Sequence, residues 1–223
     1  MIIGILVSFS GCKNDNEVTG VTVLPAVCVL KVGEFQHLTA FVTPENADDK
    51  TVRWSIQTKE LIAPPDADTV ASISENGKVT GLAEGFATAV CITNNMFYEA
   101  TAKIIVGYAV AVKGIYNGSL SKNGDVINPA TKIGIDHISE YEARFGLPFL
   151  DSDNDGCPVT VERWGESMKF SGNTTINLNG SETPVEVSGT VTLLGGGDFT
   201  ILVGGNPATK YSFLGTIDNR PSF

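Results

Sequence analysis

The chain reads as all-β and as two domains, on three observations. Apolar and polar residues alternate over short runs, as at Ala87, Ala89 and Cys91 against Thr88, Val90 and Ile92. Gly and Asn turn signals punctuate those runs, with 24 glycines in 223 residues. No stretch keeps a helical period. At this length two small β domains can each bury a core, whereas a large enzyme with accessory modules has no room.

The stretch Asn76 to Ile92, NGKVTGLAEGFATAVCI, predicts a tight turn at Asn76-Gly77, a short strand over Lys78 to Leu82, a second bend at Gly81 to Gly85, and then a buried strand. The small inward residues of that last strand call for a large neighbour, and Trp54 in TVRWSIQ is the natural one. Cys28 and Cys91 fall at inward positions of the same unit and read as small buried hydrophobes in preference to a disulfide. None of the four cysteines (Cys12, Cys28, Cys91, Cys157) forms a close pair, and the two histidines, His37 and His137, have no partner in sequence, so a metal-thiolate site is not expected.

From Val18 to Val106 these features resemble a bacterial Ig-like domain of group 2. The residues that carry the likeness are VTGVTVLP, LKVGEFQHLTAFVTPENADDKTVRWS and NGKVTGLAEGFATAV; the insertion-like IQTKELIAPPDADTVASIS around Pro64-Pro65 departs from it. The resemblance implies display or adhesion at a cell surface, with no chemistry of its own.

Met1 to Ser10 is an apolar run too short to span a bilayer, and with Ser10-Gly11-Cys12 it looks like the end of a bacterial lipoprotein signal peptide. The resemblance implies that Cys12 carries the lipid anchor; the alternative is a cleaved or mis-assigned leader. Phe9 stands where Leu is usual, and no Lys or Arg precedes the run. Lys13 to Glu17, KNDNE, reads as a short polar tether similar to those of surface-exported Bacteroides lipoproteins. The expected organisation is therefore leader and tether over 1–17, the Ig-like domain over 18–107, and a second β domain over 108–223, separated by a brief hinge at Gly107-Tyr108.

The second domain reads as a meander: VAVKGIYNGSLS, the Asn123-Gly124 turn, DVINPATKIGIDHI, then VTVERWG, SMKFSGNTTINLNG, PVEVSGTVTLLGGGDFTILVGG and TKYSFLGTI. EYEARFGLPFL has a capping-box spacing from Ser139, but Tyr141, Ala143, Phe145, Leu147 and Phe149 alternate, so a strand is expected. GIYNGSL with its NG hairpin, Leu147-Pro148-Phe149, Pro158-Val159 and SFLGTI resemble the calycin-like, lipocalin-related domain of Bacteroides lipoproteins. That implies an Ig-like β-sandwich followed by a small antiparallel β-barrel, partly closed, whose mouth could hold a small apolar ligand or whose interior is packed.

DSDNDGCPVTVE matches the spacing of a calcium loop, with Asp151, Asp153 and Asp155 as oxygen ligands, Gly156 for the turn and Glu162 closing the site. Three mutually repelling carboxylates gain from a divalent cation between them. Against calcium stand Pro158 and the strand-like flanks, which suit a solvated acidic hairpin loop equally. Trp164, beside a turn, with Tyr116 and Tyr211 on strands, could offer faces for a glycan to stack on; packing of Trp164 against the barrel is the alternative.

No nucleophile elbow, paired His ligands, P-loop or dinucleotide fingerprint is present, and the runs Gly195-Gly196-Gly197 and Gly204-Gly205 read as hairpin turns. Paired carboxylates for glycan hydrolysis would be spatial and so invisible here. The formal net charge of −10 disfavours nucleic acid and anionic lipid. The expectation is a non-enzymatic, lipid-anchored envelope protein, an outer-membrane lipoprotein exposed at the surface, that binds a glycan, a host protein or a cell-surface protein; the alternative is a carrier of a small apolar ligand.

Overall fold

The computed structural model describes residues 16–63, 69–150, 156–205 and 207–217. The first part contains β1 (Gly20–Leu24), β2 (Val27–Leu30), β3 (Phe35–His37), β4 (Thr39–Thr43), β5 (Val52–Ala63), β6 (Ala71–Ile73), β7 (Lys78–Gly81), β8 (Glu84–Thr93) and β9 (Glu99–Val106). They form a four-stranded sheet in the order β2-β9-β8-β5, a three-stranded sheet β3-β7-β6, and the pair β1-β4. Among the described residues of this part, only β2 and β9 pair in parallel; the other pairs are antiparallel.

The inward positions of β8 are small, and Cys28, Leu30, Leu38, Val79, Ile104 and Val106 close over Ala87, Ala89 and Cys91. Trp54 lies directly across from Cys91 on β5 and packs half-buried against this cluster, as the small residues required. The Asn76-Gly77 turn joins β6 to β7. Gly77 has φ +79°, and a Cβ there would stand 2.4 Å from the Leu38 carbonyl oxygen, so only glycine fits.

The second part is a closed antiparallel barrel of eight strands: β10 (Gly114–Lys122), β11 (Asp125–Ser139), β12 (Glu142–Phe145), β13 (Cys157–Trp164), β14 (Ser167–Leu178), β15 (Ser181–Thr192), β16 (Gly196–Val203) and β17 (Thr209–Ile217). Each strand pairs with the next and β17 returns to β10, so no edge is left and the barrel is fully rather than partly closed. EYEARFGLPFL is a strand only over Glu142–Phe145; Leu147 and Leu150 then fold into the core.

The barrel axis is occupied by side chains. Phe199 stands at its centre, with ring centroids 5.1 Å from Tyr116, 5.2 Å from Phe145, 5.3 Å from Phe170 and 5.3 Å from Phe213. Inward glycines make this crowding possible. A Cβ on Gly197 would lie 2.5 Å from the Phe199 ring and 2.9 Å from that of Tyr116, and one on Gly189 would lie 2.9 Å from Phe199. Gly197 is therefore a space-giving strand residue, whereas Gly195, with φ +96°, makes the turn that the sequence suggests. An eight-stranded barrel is just wide enough for side chains to fill, and here aromatics do so. Of the two readings, a mouth for an apolar ligand or a packed interior, the side chains fit the packed one, and Tyr116, a candidate for sugar stacking, is buried within it.

Between the domains the run Tyr108–Val112 forms a single helical turn, α1, where a strand was expected. All five residues are buried. A segment covered on every side has no sheet edge to pair with, so its backbone is satisfied locally, and an apolar run without a polar face suits a buried helix. Tyr116 donates its hydroxyl hydrogen to the Val112 carbonyl at 2.7 Å, and the Ala109 N–H donates to the Glu140 carbonyl at 3.0 Å.

Val29, Phe86 and Ile105 of the sandwich join the same buried cluster as α1 and the barrel interior. Polar contacts ring this shared core. Arg163 donates to the Val29 carbonyl at 3.0 Å, the Val32 N–H donates to Glu140 at 2.8 Å, and Lys113 pairs with Glu60 at 3.0 Å. The Lys31 ammonium sits 5.4 Å and 5.6 Å from the ring centroids of Tyr108 and Tyr141. His137, which has no partner in sequence, lies with its Nε2 2.9 Å from Glu84 of β8, a close contact across the junction with both side chains about one-tenth exposed. His37 is exposed on β3, its ring edge-on to Phe35.

Cys28, Cys91 and Cys157 are free thiols, each buried. Burial raises the Cys28 thiol from 9.0 to about 12 and the other two to about 11. The unfolded chain releases these protons first, so their contribution is whole below pH 9 and is lost as pH rises toward 11 to 12. The denaturation midpoint should fall across that range, and a thiol reagent at pH 8 should label none of the three until denaturant is added. Phe199→Ala should cost about 3–5 kcal/mol in chemical denaturation, because four aromatic neighbours lose their common partner.

Candidate binding surfaces

Because the barrel is filled, its polar groups open to solvent lie on its outer face. Alternation along β12 to β16 sets one row of polar side chains outward, Glu142, Thr160, Ser171 and Ser188, which are direct cross-strand neighbours. A second row brings Asn173, Glu186 and Leu202 side by side. The pairing of β13 with β14 ends at Thr160 and Ser171. Next to that break, Gly172 lets the Pro158 carbonyl come so near that a Cβ would meet it at 2.0 Å. Around that close approach the outer face forms a trough of about 670 Å³ lined by these residues.

The trough presents hydroxyls, one amide and two carboxylates. Such a lining accepts hydrogen bonds from ligand hydroxyl or ammonium groups and repels anions. Glu142 already accepts a long hydrogen bond from Ser139 at 3.4 Å.

Trp164 occupies the last outward position of β13 on the same face, four residues or about 13 Å from Thr160. It is 65% exposed rather than packed against the barrel, and the Lys169 ammonium lies 5.1 Å from its ring centroid. Tyr211 is half-buried instead, its ring tilted at 42° to that of Phe149 with centroids 5.1 Å apart and Lys122 above it. Of the three aromatics singled out in the sequence, Trp164 alone offers an open face.

Cys12 and the three acids Asp151, Asp153 and Asp155 lie outside the described residues. Glu162 is exposed on β13, opposite Lys169 across the β13–β14 pair. Among the described residues no group of three or more His, Cys, Asp or Glu is placed to hold a metal ion. The trough escaped sequence reasoning because Ser, Thr and Asn at alternate positions read only as a solvated strand face. The one available signal was Gly172 among polar strand residues, which marks a bend or close backbone approach.

The geometry defines a nearly all-β protein: a sandwich joined through a shared buried cluster to a closed, filled barrel. Residues 17–104 match the family of the bacterial Ig-like domain (group 2), and the eight-stranded barrel follows that match. Among solved structures, the chain is similar to a candidate outer membrane protein of Bacteroides fragilis, at 17% identity over 80% of each chain and a TM-score of 0.35. It is also similar to the PKD domain of human KIAA0319, at 19% identity over 44% of this chain and 91% of that one, with a TM-score of 0.28. No curated protein matches the chain.

The two tryptophans should separate in mutagenesis. Trp164→Ala should shift stability by no more than about 0.5 kcal/mol, whereas Trp54→Ala, at the sandwich core, should cost about 2 kcal/mol or more in denaturant titration.

Proposed function

We propose that the chain is a lipid-anchored protein of the bacterial cell envelope, held at Cys12, in which the Ig-like domain is a stiff spacer and the barrel is the recognition head. The head acts in adhesion or ligand binding and performs no chemistry. The observation that carries this reading is the pairing of a filled barrel interior with an outer face that holds both the polar trough and the open Trp164 ring. The family match over 17–104 supports the spacer role, since such modules extend proteins at bacterial surfaces.

The chemistry of the face favours an uncharged, hydroxyl-rich ligand such as a glycan. Trp164 would stack against a sugar ring, and the Ser, Thr and Asn side chains with the two carboxylates would accept and donate hydrogen bonds along the trough. Acidic polymers and nucleic acid are disfavoured by the net charge of −10.

The test is protease shaving of intact cells that carry the tagged protein, beside a Cys12→Ala variant. Release from intact cells, with loss of membrane attachment in the variant, is the expected result. Protection until the outer membrane is broken would place the protein inside the envelope and rule out surface adhesion. In a soluble glycan panel, Trp164→Ala should weaken any binding by about tenfold or more, the scale of one lost stacking contact.

A further inference from the structure

The sandwich has two ends, and they differ in what they expose. At one end the starts of β8 and the ends of β5 and β9 meet α1 and the barrel. β8 runs ten residues, about 30 Å, to the other end, where Asn94 to Tyr98 turn the chain into β9. Met96 and Phe97, at the tip of that turn, are 69% and 81% exposed.

The turn is internally satisfied. The Met96 N–H donates to the Thr93 carbonyl at 2.8 Å, the Phe97 N–H donates to the Asn95 side-chain oxygen at 3.2 Å, and the Tyr98 N–H donates to the Thr93 hydroxyl at 3.3 Å. Met96 adopts φ +62°, a conformation that costs energy in a residue with a side chain. A rigid turn whose polar groups bond to one another while its two large apolar side chains face out is suited to an apolar interface, where unsatisfied backbone groups are costly.

The N-terminal chain emerges at the same place. Asn16 exchanges hydrogen bonds with Asp48, accepting from its N–H at 3.0 Å and donating to its carboxylate at 3.1 Å, and Asn16, Asp48, Asn94 and Phe97 line one cleft of about 490 Å³. Cys12 is four residues before Asn16, a span of at most about 14 Å.

We infer that the Met96-Phe97 turn is a membrane-interface wedge, which inserts its two side chains among the lipids beside the anchor and so orients the sandwich with the barrel pointing away from the bilayer. This rests on the lipid-anchored reading proposed above. The occupant is a neutral bilayer surface: Glu17, Asp48 and Asp49 surround the turn and would repel anionic headgroups, so the contact is apolar rather than electrostatic.

The test uses the full chain purified with its lipid and reconstituted in phosphatidylcholine vesicles whose acyl chains carry bromine, which quenches tryptophan on contact. In a Phe97→Trp variant, emission beyond that of the parent's Trp54 and Trp164 should lose roughly half its intensity in brominated vesicles, unchanged by salt, as burial several ångströms deep requires. In a Met96→Ser, Phe97→Ser variant, amide protection of the turn on membrane attachment, read by hydrogen exchange, should disappear while the chain stays attached. Attachment through Cys12 with no quenching of the added tryptophan would overturn the wedge alone. A chain that fails to float with the vesicles at all would overturn the anchor, and the wedge with it.

Discussion

The structure depends on the burial of one helical turn. Tyr108–Val112 is covered by the sandwich on one side and by the barrel on the other, and the apolar cluster it completes runs without a break from Phe86 and Ile105 to Phe199. Because the turn closes one end of the barrel, its backbone must find partners within the protein, and it finds them in the Glu140 carbonyl and in its own helical bonds. The hydroxyl of Tyr116, at the heart of the barrel, is spent on the Val112 carbonyl. Removing the turn would open the barrel interior and the junction with Val29, Phe86 and Ile105 to water at once.

That arrangement sets the mechanical character of the molecule. Two domains joined by a free linker would reorient, but here Arg163, Glu140, Lys113 and His137 bridge the rim of a shared core. Exposed pairs such as Lys113 with Glu60 add little on their own; the apolar continuity beneath them supplies the stiffness. A stiff joint suits a spacer that must hold a head at a set distance. It also separates the surfaces, since the barrel interior is given to packing and the outer face of β12 to β16 carries the polar trough.

Much of the fold could be read directly. The turn at Asn76-Gly77, the small inward residues of β8 with Trp54 opposite, and the alternation along the barrel strands all appear as local periodicity, because each strand faces one core and one solvent side. The candidate site was legible in one residue. Trp164 stood out as an aromatic beside a turn, whereas the trough next to it is a property of five strands in register and of the close backbone approach at Gly172 that no single strand encodes. Tyr116 shows the converse: an aromatic on a strand looks the same in sequence whether it faces a ligand or a core.

The sequence by itself determined that the chain is almost entirely β, where many of its turns fall, that Cys28 and Cys91 would be buried rather than bridged, and which family its first domain resembles. These follow from short-range rules, since alternation and turn chemistry act over a few residues. Only the tertiary structure decided that Tyr108–Val112 would be helical, that Gly197 and its inward neighbours would make room for Phe199, and that His137 would meet Glu84. The reason is physical: each of those outcomes depends on what lies across a core or a junction, and the residues that supply the answer are distant in sequence from the one that responds.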